Sequence, residues 1–166
     1  MSVPSIVITG ASSYLGRIVV EFLREKTAHC LVAVVSPRAA LPAENERVHF
    51  LRADLAAELA QAACVLHFAW TRTGSADAVR AANRAVITHL LGAMPDAGKF
   101  WFISSVSASP RPMSIYGATK HEAAELVRAR GGGVLVCGLV VEPDPPRGPY
   151  RMLKKTSRAS RWPSAR

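Results

Sequence analysis

At 166 residues the chain has room for one domain with a single sizeable core. Its 49% hydrophobic and 20% charged content is that of a globular protein. No apolar run is as long as a membrane span, and the N-terminus lacks the charged-then-apolar layout of a signal peptide. The net charge of +9 belongs to one end: residues 147–166 carry seven Lys/Arg and no acid, leaving 14 basic against 12 acidic residues elsewhere, or +2. A basic run with one aromatic, Trp162, and no recognition motif reads as a solvated, poorly ordered tail; nucleic acid and membrane are not expected partners. Three cysteines, Cys30, Cys64 and Cys137, lie far apart in apolar strand-like runs, which points to reduced, buried thiols in a cytoplasmic protein.

The first element is a β-branched run, Ile6–Thr9, that reads as a buried parallel strand. It breaks at Thr9-Gly10, and an apolar period resumes from Leu15 to Lys26. Strand, tight glycine turn and helix follow one another. The helix N-terminus then lies open, with no side chain at Gly10 or Gly16 to block close approach, and Ser12, Ser13, Tyr14 and Leu15 form the turn around it. A pyrophosphate fits such a place, because the first helical amides and the helix dipole favour negative charge. Ser13 stands where a T-G-x-x-G-x-x-G loop has its middle glycine, at a cost if that position needs positive φ.

Further strands are predicted at Leu31–Val35, Val48–Leu51, Cys64–Phe68, Phe100–Ile103 and Val134–Val141, and helices at Leu55–Gln61, Asp77–Met94 and Ser114–Arg130. Alternation of this kind implies a parallel sheet covered on both faces. Six strands suggest the doubly wound order 3-2-1-4-5-6, with ligands at the carboxyl edge near the switch point. Gly131-Gly132-Gly133 is a helix stop. The proline-rich stretch from Pro143 to Pro149 closes the folded part, which gives a domain over 1–146 and a tail over 147–166.

Several strand ends carry candidate cofactor contacts. After the second strand no acid stands before Glu44 to bind a ribose 2′-hydroxyl, whereas Ser36 and Arg38 suit a 2′-phosphate; the choice between NAD and NADP tilts toward NADP. Asp54, before Leu55, either caps the short helix or accepts from an adenine amino group. In His67-Phe68-Ala69 the small Ala69 lets the backbone pass close to a cofactor. His67 reads as a packed strand-end residue, since no second metal ligand stands at a suitable spacing; no metal is expected.

The fifth strand ends Ser104-Ser105-Val106-Ser107, and Tyr116-Gly117-Ala118-Thr119-Lys120 follows. Tyr116 and Lys120, four apart, share one face of a helix. An ammonium held near a phenol favours the phenolate, and a hydroxyl at the strand end holds a substrate oxygen beside it. Alone, Y-x-x-x-K is common; after a Ser-Ser strand end and a T-G-x-x-x-x-x-G opening it is specific.

At these residues the chain resembles the short-chain dehydrogenase/reductase superfamily, and most closely its extended branch, the NAD(P)-dependent epimerase/dehydratase family. The resemblance covers about residues 3–142 and implies a Rossmann fold. It implies that Thr9-Gly10 through Gly16 form the cofactor loop, Asp54 the adenine contact, and His67-Phe68-Ala69 the H-x-A strand end. Asn83 is similar to a helix Asn that supports the active site. Ser105, Tyr116 and Lys120 match the catalytic Ser, Tyr and Lys: Tyr116 as acid/base, Lys120 also on the nicotinamide ribose, Ser105 polarising the reacting oxygen. The family acts largely on nucleotide sugars by hydride transfer, and its helices often pair into a homodimer, here through Asp77–Met94 and Ser114–Arg130. The chain departs from the pattern at Ser13, and at Cys137-Gly138, where an Arg-Pro is usual. Ser105 lies only eleven residues before Tyr116, so Ser104 and Ser107 stay open for the serine role. Most of the family's substrate subdomain is expected to be missing from this chain. The competing reading is a non-catalytic dinucleotide-binding module, a sensor, partner subunit or truncated remnant.

Overall fold

The computed structural model describes residues 4–36, 47–51 and 55–138. Arg38, Asp54, the boundary at residue 146 and the basic tail lie outside the described residues.

In chain order the elements are β1 (Ser5–Thr9), α1 (Tyr14–Lys26), β2 (Cys30–Val34), β3 (Val48–Leu51), α2 (Ala56–Gln61), β4 (Cys64–His67), α3 (Ala76–Ala93), β5 (Phe100–Ser105), α4 (Ile115–Ala129) and β6 (Gly133–Cys137), with a single 3-10 turn at Ala97–Lys99 before β5. The strands form one sheet in the order β3-β2-β1-β4-β5-β6, every neighbouring pair parallel. This is the doubly wound order expected from the alternation of elements.

The register explains the two-sided core. Val32, Val7, Val65 and Phe100 stand level across four strands and point to one face. There they meet Leu59 of α2, Ile87 and Leu90 of α3, and Ala124 and Val127 of α4. Ala33, Ile8 and Leu66, one residue along, point to the opposite face, where Val20 and Leu23 of α1 cover them. That cover ends toward β5 and β6: Trp101, level with Leu66, and Leu135, level with Ile103, stay exposed.

Small differences from the sequence reading have local causes. β5 runs two residues beyond Ile103, because Ser104 and Ser105 still pair with Val136 and Cys137 of β6. β4 stops at His67, although the Phe68 amide still donates to the Thr9 carbonyl at 2.9 Å. β6 ends at Cys137, and the continuation expected to Val141 lies outside the described residues from 139 onward. The three cysteines are free, as expected, but half-buried rather than buried, since each sits at the first or last residue of its strand. Burial pushes the Cys30 and Cys64 thiols up, with Glu58 adding to the effect at Cys30.

Candidate functional site

The connections from β1 and β4 leave the sheet on opposite faces, which opens a crevice between the carboxyl ends of these neighbouring strands. Gly10 closes the turn after β1 at φ +72°, where a side chain is strained in any case. A Cβ there would also stand 2.5 Å from the Ala69 amide nitrogen, so the loop rests directly on the backbone after β4. Gly16 is crowded in the same way from beneath, by the Gly10 carbonyl. Ser13 caps α1 in extended backbone, φ −71°, and its Oγ accepts from the Gly16 amide at 3.1 Å. The condition for a cost at this serine is not met: the position does not use positive φ, and the hydroxyl gains an N-cap bond.

Beneath the loop, Thr9 Oγ1 and His67 Nδ1 share a hydrogen bond at 2.5 Å between residues that stand level on β1 and β4. His67 is buried between this bond and the Phe100 and Phe102 rings. Burial, and then the Lys120 charge, push its imidazole down to about 3, so it is neutral at ordinary pH. It supports the crevice floor and does not line the cleft, in keeping with a packed strand-end histidine.

The other half of the site comes from β5 and α4. Ser105 Oγ accepts from the Ser107 amide at 3.2 Å and donates to Ser107 Oγ at 3.4 Å, and the Ala108 amide closes the turn on the Ser105 carbonyl at 2.9 Å. Ser104 Oγ and Trp70 Nε1 are buried without a hydrogen-bond partner among the described residues. α4 starts at Ser114, whose Oγ accepts from the Gly117 amide at 3.1 Å. A Cβ on Gly117 would strike the Ser107 carbonyl, so this glycine lets the first turn of α4 close onto the serine turn and sets Tyr116 beside it.

Lys120, one turn further along α4, is 4% exposed. Its Nζ donates to the Ile103 carbonyl at 2.6 Å and lies 4.3 Å and 4.4 Å from the centroids of the Trp70 and Phe102 rings. No carboxylate pairs with it among the described residues. Burial, and then the nearby Arg72 charge, push the ammonium down to about 7, against an opposing pull from Cys137. Arg72 stacks over Tyr116, Cζ 4.9 Å from the ring centroid.

One cavity of about 1160 Å³ joins the two halves. On the side of β1 and β2 it is walled by Thr9, Gly10, Ser12, Ser13, Tyr14, Leu15 and Ser36, after β4 by Phe68 and Ala69, and from β5 and α4 by Ser104, Ser105, Ser107, Tyr116 and Lys120; Leu55 lines it as well. Gly16, His67 and Asn83 do not line it. Asn83, which the resemblance likens to a helix Asn supporting the active site, is turned to the chain itself: its Oδ1 accepts from the Thr71 amide at 2.8 Å and its Nδ2 donates to the Thr71 carbonyl at 3.0 Å. Trp70 and Arg72 line the cavity and were not foreseen. Their signal was positional: both lie in the segment just after β4, which ends at His67 beside the switch point. No cluster of three metal-ligating side chains occurs among the described residues, and no helix there is long and apolar enough to cross a membrane.

The family model for the NAD-dependent epimerase/dehydratase family matches residues 6–162. The chain belongs to that family. No curated protein matches the sequence. Among solved structures, this epimerase/dehydratase-family chain is similar to a UDP-glucuronic acid 4-epimerase from Bacillus cereus in complex with NAD, with a TM-score of 0.70 and 22% identity over 84% of this chain and 57% of that one. It is similar also to MoeE5 in complex with UDP-glucose and NAD (TM-score 0.65, 24% identity, 93% and 60% covered). A third is the Bordetella bronchiseptica enzyme WbmH in complex with NAD+ (TM-score 0.66, 14% identity, 95% and 64% covered). Likeness at these identities shows the fold. The chain spans roughly three fifths of the length of these family-like neighbours (57–64%).

Proposed function

We propose that the chain is a nicotinamide-dinucleotide-dependent oxidoreductase or epimerase that acts on a sugar nucleotide or a similar alcohol or carbonyl, with Tyr116 as the acid/base. The observation that carries this reading is the single cavity running from the Gly10 loop to Ser105, Tyr116 and Lys120. The residues present fit a dinucleotide. The turn at Gly10 has no room for a side chain, and the first turn of α1 lines the cavity. At about 1160 Å³ the space exceeds the usual pocket for a drug-sized molecule, as an elongated cofactor with a substrate beside it requires.

In this reading Gly10, Ser12, Ser13 and Leu15 hold the pyrophosphate, Ser36 lies at the adenosine end, and Phe68 and Ala69 lie along the middle of the cofactor. A bound nicotinamide supplies the hydride acceptor and donor. Ser105 holds the reacting oxygen, Tyr116 Oη takes its proton when an alcohol is oxidised and returns it on reduction, and Lys120 places its amino group at the nicotinamide end. NAD bound in the three similar structures supports a cofactor of this class; the tilt toward NADP rests on Ser36 and on Arg38, which lies outside the described residues.

The experiment is calorimetric titration of the full chain with NAD+ and NADP+, then incubation with UDP-glucose and UDP-glucuronate read both by absorbance at 340 nm, for net oxidation, and by chromatography of the sugar nucleotides, for epimerisation, with Tyr116→Phe alongside. Binding, turnover and a loss of roughly 10²–10⁴ in the variant are expected. Binding with equal inactivity of both proteins favours the non-catalytic module. Absence of dinucleotide binding rejects both readings.

A further inference from the structure

The cavity is lined by two cations, Arg72 and Lys120, and by no Asp or Glu among the described residues. Lys120 is already engaged with the Ile103 carbonyl and two aromatic faces. Arg72 is exposed, and it forms no ion pair with any carboxylate among the described residues. Its position is nevertheless fixed. The preceding residue, Thr71, is held through both backbone groups by the buried Asn83 amide, and the guanidinium lies against the Tyr116 ring. A guanidinium without a carboxylate partner among the described residues keeps its fork of N–H groups available, and that fork matches the two oxygens of a carboxylate or phosphate.

We propose that Arg72 binds an oxyanion of the substrate beside Tyr116 and so selects anionic substrates. The inference rests on the proposed placing of the substrate at Ser105 and Tyr116. Two sources carry the same chemistry, the carboxylate of a sugar acid and the diphosphate of a nucleotide carrier. A lysine at this position offers a point charge without the fork, so Arg72→Lys recovers only part of the binding.

Calorimetric titration of the full chain tests this, with UDP-glucuronate, UDP-glucose and free glucuronate each measured with and without saturating NAD+. Arg72→Gln is expected to weaken at least one of them by about tenfold or more, with Arg72→Lys in between and NAD+ affinity unchanged. Loss for UDP-glucuronate and glucuronate but not UDP-glucose assigns the carboxylate; equal loss for the two nucleotides alone assigns the diphosphate. Wild-type and Arg72→Gln proteins of equal melting temperature that bind all three ligands equally overturn the proposal, as does a wild type that binds none. The readout is binding and needs no turnover. A chain that holds these anions through Arg72 but fails to bind NAD+ or NADP+ therefore rejects the dinucleotide reading and leaves this assignment standing.

Discussion

Thr9 and His67 stand level on adjacent parallel strands and share the hydrogen bond that lies under the cofactor loop. Because His67 is held neutral down to about pH 3 against an ordinary value of 6.5, the unfolded chain takes up a proton in that interval that the native chain does not. Stability therefore falls as pH drops from 6.5 toward 3, by up to about 1.4 kcal/mol per pH unit from this group. In His67→Phe the denaturant midpoint is expected to fall less steeply with acid than in the wild type. Parallel slopes from the two proteins contradict the assignment.

Gly10 is the residue on which close contact between the loop and Ala69 depends. An alanine there faces both the left-handed backbone and a Cβ 2.5 Å from the Ala69 nitrogen. The expected cost is about 2–4 kcal/mol, from backbone strain and overpacking together, with dinucleotide affinity lost in whatever fraction still folds. Chemical denaturation measures the first and calorimetry the second. Ser13→Gly makes the contrast: its backbone is already extended, so removing the capping hydroxyl costs only a few tenths of a kcal/mol.

Lys120 gives a second pH signature in a different window. Its native ammonium titrates at about 7 and the unfolded one at 10.5, so between these values the unfolded chain binds the extra proton. Stability rises with pH across that interval and is lost as pH falls to 7, a change of order a few kcal/mol. Lys120→Met removes this dependence. The variant is expected to be the more stable protein at pH 6.5, with its advantage shrinking by about pH 9.5. An advantage that is constant with pH shows that the amine carries its charge throughout.

The parts of the site that sequence made legible are those set by local chain chemistry. Gly10 and Gly16 sit at helix-turn spacing, Tyr116 and Lys120 share a helical face by arithmetic alone, and the sheet order follows from the alternation of elements. What escaped depends on direction and long-range contact. Asn83 sits on a helix whose sequence does not say that its amide turns to Thr71, 12 residues back in the chain. Arg72 and Trp70 carry no motif; they matter because β4 delivers them to the crevice. Whether Ser13 carries a cost depends on the φ of its position, which the pattern of residue identities does not record; the backbone there is extended. The burial of Lys120 among Ile103, Trp70 and Phe102 joins three stretches of chain and has no signature in any one of them.

Asn83 ties α3 to the segment that follows β4. The Thr71 amide and carbonyl are both paired with one buried side chain, so removing it orphans two backbone groups at once. Asn83→Ala is expected to cost about 1–3 kcal/mol and to speed amide exchange at Thr71 specifically. Asn83→Asp keeps the acceptor for the Thr71 amide but loses the donor to its carbonyl, and so restores part of the exchange protection. If the asparagine only fills space in α3, Asn83→Leu matches the wild type in both measurements. If it positions the loop, Asn83→Leu behaves like the alanine variant in Thr71 exchange even where its melting temperature recovers, because packing cannot replace the two hydrogen bonds that hold Arg72 over the Tyr116 ring.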